Sequence, residues 1–101
     1  MDQRKLAKLR RELEALRRGA HKAREFESLA RRLGRKPAKR GKEPMWESKV
    51  FDELYVLAIP HHGGRDLSRG VRHSVLAQLE DDILAWEERL LEDDDGTDSE
   101  A

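Results

Sequence analysis

The chain has 101 residues and a mass of 11.7 kDa, the size of one small domain, with 42% of its residues charged and 37% hydrophobic. A mean hydropathy of −0.92 implies a thin core, and two Trp, one Tyr and two Phe leave little to line a large ligand cavity. The absence of cysteine excludes a disulfide framework, a thiolate zinc site and a cysteine nucleophile.

Charge is unevenly placed. Residues 1–42 hold 16 basic and 5 acidic side chains, and residues 43–101 hold 5 basic and 16 acidic, so the overall charge of zero hides a strong dipole. A basic front half points toward a polyanionic partner. No apolar run approaches the roughly 20 residues of a membrane helix. The N-terminus alternates charge with leucine and does not read as a signal peptide. A soluble cytoplasmic protein without membrane contact is expected.

In chain order, residues 2–18 read as a helix, with Leu6, Leu9, Leu13 and Leu16 on one narrow stripe and Gly19 as a stop. The stripe calls for a docking surface, either in the same domain or on a partner or second copy. A second helix is expected from His21 to Leu33, with Phe26, Leu29, Ala30 and Leu33 on its apolar face and Gly34 ending it. His21 reads as a solvated surface residue.

The stretch RRLGRKPAKRGK, residues 31–42, has seven basic residues and no acidic one. Pro37 is compatible only with an edge strand. Met45–Ser48 is a short strand candidate, Lys49–Glu53 a polar connection, and Leu54–Ile59 the best strand, stopped by Pro60. Residues 61–66, HHGGRD, form a loop. The last helix is expected from about Gly70 to Leu91, with Val75, Leu76, Leu79, Ile83, Trp86 and Leu90 facing inward. The segment from Glu92, EDDDGTDSEA, reads as an acidic disordered tail. The fold class is therefore α+β, with residues 1–19 a leading helix, 20–91 the main domain and 92–101 the tail.

Three features resemble the HicA family of small bacterial toxins. They are a helix ending at Gly34 that feeds a basic strand and a turn at Arg40-Gly41, the segment Ile59-Pro60-His61-His62-Gly63-Gly64-Arg65-Asp66-Leu67, and the helix opening Arg69-Gly70-Val71-Arg72-His73-Ser74-Val75-Leu76. The likeness spans Phe26 to Leu79. It implies a fold like a double-stranded-RNA-binding domain (α-β-β-β-α, here with an additional N-terminal helix). It also implies metal-free cleavage of mRNA as an endoribonuclease of a type II toxin–antitoxin system, and a HicB-like antitoxin as partner. The family's catalytic histidine position is occupied here by Glu43, in Gly41-Lys42-Glu43.

Metal-free RNA cleavage needs a base for the 2′-hydroxyl, an acid for the leaving oxygen and cations for the phosphorane. Glu43 and His62 are the catalytic candidates. The cations around Glu43 hold its carboxyl down and make it a weak base, or simply pair with it. His62 either serves phosphate and proton or hydrogen-bonds its own loop. Lys36, Lys39, Arg40 and Lys42, joined by Arg35, are the leading RNA-binding candidates, with Arg65 and Arg69 contributing backbone contacts near the start of the last helix. Trp46 and Tyr55 would stack bases if exposed and are core residues otherwise. Adjacent His61 and His62 make a poor metal pair, and His62 with Asp66 and His73 an incomplete one, so no metal and no cofactor are expected. The alternative is a catalytically inactive HicA-like module for nucleic acid or protein. On either reading, the first helix offers a route to a homo-oligomer.

Overall fold

The computed structural model describes residues 1–38, 45–60 and 64–100, with side chains as far as Glu92. Within them the order is α1 (Gln3–Leu16), α2 (Ala23–Arg32), β1 (Arg35–Ala38), β2 (Met45–Ser48), β3 (Leu57–Ala58) and α3 (Arg69–Glu100). This is a small α+β domain whose antiparallel sheet has the order β1-β2-β3.

Helix α1 begins where the Asp2 carboxylate accepts the Lys5 N–H at 2.7 Å, and the chain turns away at Gly19, with φ of +76°. Its four leucines are buried in one cluster with Phe26 and Leu29 of α2, Trp46 and Leu57 of the sheet, and Leu79 and Ile83 of α3. The first helix therefore docks in cis and shares a core with the rest of the chain. The leucine stripe that would have joined two copies is already covered.

Helix α2 begins where the Glu25 carboxylate reaches back to accept the Lys22 N–H at 2.7 Å, the one half of a capping box open to a lysine N-cap. It ends at Gly34, which lies at φ +101° and lends its carbonyl to the Lys49 N–H at 3.0 Å. A Cβ at Gly34 would sit 2.7 Å from Val50 Cγ2, so both the backbone angle and the close approach require glycine.

In the sheet, Pro37 stands opposite Trp46 on the edge strand, where a missing N–H is tolerated. Trp46 and Leu57 are paired and buried toward the helices. By alternation, Lys36, Glu47, Ala38, Met45 and Ala58 occupy the opposite face, where none is fully buried.

Three expectations are corrected. Of Leu54–Ile59 only Leu57 and Ala58 join the ladder, because the Leu54 N–H turns back to the Phe51 carbonyl at 3.3 Å and the Tyr55 carbonyl is taken by Arg35 at 3.0 Å. The connection after β2 is not simply polar, since Phe51 is buried and packs edge-on to Trp86, ring centroids 5.0 Å apart. The acidic segment from Glu92 carries on α3, which continues to Glu100, in place of a disordered tail. A helix already nucleated and packed gains a hydrogen bond for each residue added, and no proline interrupts it.

Trp86 is half-buried rather than enclosed, at the margin of the core. Its Nε1 donates to the Leu33 carbonyl at 2.9 Å, satisfying a group left open at the end of α2.

Candidate nucleic-acid interface

Arg35 opens the basic run in sequence, yet it is only 2% exposed. Its Nε and Nη2 donate to the two carboxylate oxygens of Asp82 at 2.7 Å each, and Nη1 donates to the carbonyls of Trp46 at 2.9 Å and Tyr55 at 3.0 Å. One guanidinium thereby ties β1, β2, the connection before β3 and α3 together. Burial pushes the Asp82 carboxyl above its ordinary value, against the downward pull of Arg35. Arg35 is thus removed from any ligand-binding surface; its planar fork fits a buried carboxylate and two carbonyls at once.

The next residue, Lys36, is exposed on the opposite face, directly across the ladder from Glu47. Lys49 donates to Glu47 at 3.3 Å, so this part of the sheet carries mixed charge rather than a continuous cationic row. Lys39, Arg40, Lys42 and Glu43 lie outside the described residues, as does His62.

Trp46 is a core residue, 2% exposed, with the Arg31 guanidinium 5.0 Å from its ring centroid, and it offers no face to a base. Tyr55 is 84% exposed and keeps a free ring. The two aromatics differ because Trp46 sits in the ladder facing the helices, whereas Tyr55 lies in the irregular chain just before β3.

Arg65 and Arg69 are exposed on either side of a well-anchored segment. Leu67 is buried, its N–H donates to the His21 carbonyl at 2.9 Å, and the backbone at Asp66 pairs antiparallel with that at Lys22. The Ser68 hydroxyl accepts the Val71 N–H at 3.3 Å and starts α3 ahead of Gly70. These bonds bring the beginnings of α2 and α3 together and present Arg65 and Arg69 beside them. Arg72 is turned inward to the Gly19 carbonyl, while His73 is exposed. No described contact joins Lys36 to Arg65 or Arg69.

His21 is not a freely solvated residue. Its Nε2 meets the Arg18 carbonyl at 2.6 Å and its Nδ1 meets the Glu25 carboxylate at 3.1 Å, which requires both ring nitrogens to donate. Burial opposes the charge, but the Arg18 carbonyl and Glu25 outweigh it and raise the imidazole above its ordinary value. Burial raises the Glu25 carboxyl, but the Lys22 N–H, His21 and the Arg24 charge outweigh it and hold it below its ordinary value.

Sequence reasoning found the cations but not which of them are neutralised. Arg10 pairs with Glu80 at 3.3 Å and hydrogen-bonds Glu87, Arg17 pairs with Glu14 at 3.1 Å, and Arg32 pairs with Glu12 at 2.6 Å. The Glu87 bond is the main reason the Arg10 guanidinium is held above its ordinary value. The available signal was that each such cation lies on a side of α1 or α2 flanking the leucine stripe, within reach of a neighbouring helix.

Among the described residues no group of three or more His, Asp or Glu is arranged to hold a metal, and no helix is long and apolar enough to cross a membrane. No family model, no curated protein and no solved structure matches this chain.

Proposed function

We propose that the chain is a HicA-like RNA-binding protein of a toxin–antitoxin pair, with a HicB-like partner that covers its RNA-binding surface. The supporting observation is the sheet face turned away from the helices. It is not fully covered, and exposed Lys36 stands on it where the chain runs on into the basic segment 39–42. The order helix, three antiparallel strands, helix accords with a double-stranded-RNA-binding type of domain. Lys36, Lys39, Arg40 and Lys42 hold phosphates in this reading, Arg65 and Arg69 add backbone contacts, and Tyr55 is free to stack on a base.

In the stronger form of the proposal Glu43 and His62 cleave mRNA without metal. The binding-only form is favoured by Glu43 itself, a carboxylate set among cations where the family has an imidazole. Its conjugate acid is then too strong for it to be an effective base. Incubating the protein with RNA under chelator from about pH 5 to pH 9 separates the two, since histidine changes charge within that window. Absence of cleavage throughout removes the enzyme. Binding is expected to weaken steeply with salt, by about 0.7 to 0.9 in log–log slope per phosphate neutralised. A flat salt response removes RNA binding altogether.

A further inference from the structure

The outer face of α1 carries Arg4, Lys8 and Arg11, which fall within about 60° of one another around the helix axis and opposite the buried leucines. All three are exposed. Across the groove between α1 and α2, Arg24 is exposed as well.

The ion pairs on α1 are sorted by side. Arg10 and Arg17 reach Glu80 of α3, Glu12 reaches Arg32 of α2, and Glu14 holds Arg17. Both glutamates of α1 are thereby engaged, and among the described residues no carboxylate forms an ion pair with Arg4, Lys8 or Arg11. Among the same residues Arg24 makes no direct ion pair but feels the charge of the adjacent Glu25 carboxylate.

This arrangement does not serve the helix. Arg4 with Lys8 and Lys8 with Arg11 are like charges at i,i+4 and i,i+3, and each such pair destabilises a helix by about 0.2–0.5 kcal/mol. Arg4 also sits in the first turn, against the helix dipole, where no acidic residue is found. Sequence selected for stability alone would place Glu at one or more of these positions.

We propose that the outer face of α1, together with Arg24, is a phosphate-binding surface for a nucleic-acid backbone, separate from the sheet edge. Charge complementarity selects the occupant. Among the described residues Ala7 and Ala15 are the exposed apolar side chains on α1 itself. The one bulky exposed neighbour, Leu91, lines the groove with α3 on the Gln3 and Ala7 side rather than standing among Arg4, Lys8 and Arg11. The cationic face is left without the aromatic or bulky anchor that dominates protein interfaces. The leucine face is buried in the core, so the helix has no apolar surface to insert into a lipid boundary. Four cations without a hydrophobic centre match the sequence-independent contacts that fix a nucleic acid in register.

The test is fluorescence anisotropy of the full chain with a labelled mixed-sequence RNA, single-stranded and as a duplex, between about 50 and 200 mM salt. The variant R4Q/K8Q/R11Q/R24Q is expected to bind about tenfold more weakly and to lose about 2 to 4 from the log–log salt slope. Its unfolding curve, expected unchanged or shifted slightly upward, shows that the fold is intact. Unchanged affinity and slope in this variant overturn the proposal, as does failure of the unaltered protein to bind either RNA. A parallel variant, K36Q/K39Q/R40Q/K42Q, addresses Lys36 and the basic segment that follows it in sequence: loss of binding there alone leaves the proposed function standing and sinks this surface. Loss only in the helix variant does the reverse.

Discussion

Two arginine-rich regions of this protein obey opposite rules. At Arg35 the guanidinium is buried and each of its three nitrogens is hydrogen-bonded, to two carboxylate oxygens and two carbonyls. On the outer face of α1 the cations stand in water with no ion-pair partner among the described residues. Desolvation explains the difference. A charge taken out of water must be paired and hydrogen-bonded or it destabilises the fold, whereas an exposed charge is already solvated and is free to answer to something outside the chain. Adjacent positions show the contrast most sharply, since Arg35 is a structural clamp and Lys36, one peptide later, is exposed.

The sharpest break of that comparison is removal of the clamp. Arg35→Met leaves Asp82 buried without its partner and is expected to lower stability by about 3–5 kcal/mol in urea unfolding, with much of the loss recovered in R35M/D82L. A loss below about 1 kcal/mol would mean the pair does not anchor the sheet to α3.

Gly34→Ala comes next. The left-handed backbone angle and the 2.7 Å approach to Val50 Cγ2 together imply a loss of about 1–3 kcal/mol, and V50A should relieve only the steric part. Trp86→Phe keeps most of the ring contact with Phe51 but removes the bond to the Leu33 carbonyl, for an expected loss of about 1 kcal/mol by thermal unfolding.

The smallest effects concern exposed charges. His21 has a raised value in the folded protein, so its contribution is fully present below the ordinary 6.5 and disappears as pH rises through the folded value. Glu25 has a lowered value, so its contribution is present above the ordinary 4.5 and disappears as pH falls through the folded value. The pair therefore supports the fold best between those two limits, by a few tenths of a kcal/mol at most for partners this accessible. Stability measured against pH should flatten in that interval in H21N/E25Q. R4E/K8E is expected to move the other way from every core variant, gaining a few tenths of a kcal/mol by easing repulsion and matching the helix dipole. A measurable loss would show that these cations do hold the fold together.

How much was legible follows from which forces act locally. The leucine spacing of α1, the apolar face of α2, the stop at Gly34 and the edge placement of Pro37 all read directly, because periodicity, backbone freedom and a missing N–H act over a few residues. The shortened β3 did not, because the Tyr55 carbonyl is claimed by a side chain 20 residues away. The basic stretch itself was legible, and of its candidate cations and those before the last helix Lys36, Arg65 and Arg69 are exposed. Arg35 did not separate from its neighbours, since its partner lies 47 residues on in α3.

Sequence alone therefore determined the element order, the charge dipole and the candidate cations, since these depend on residue type and spacing. Only the tertiary structure decided which cations are neutralised, which aromatic is buried and where the first helix docks. Those outcomes turn on pairing across the fold, and a carboxylate neutralises an arginine only when packing brings the two within a few ångströms.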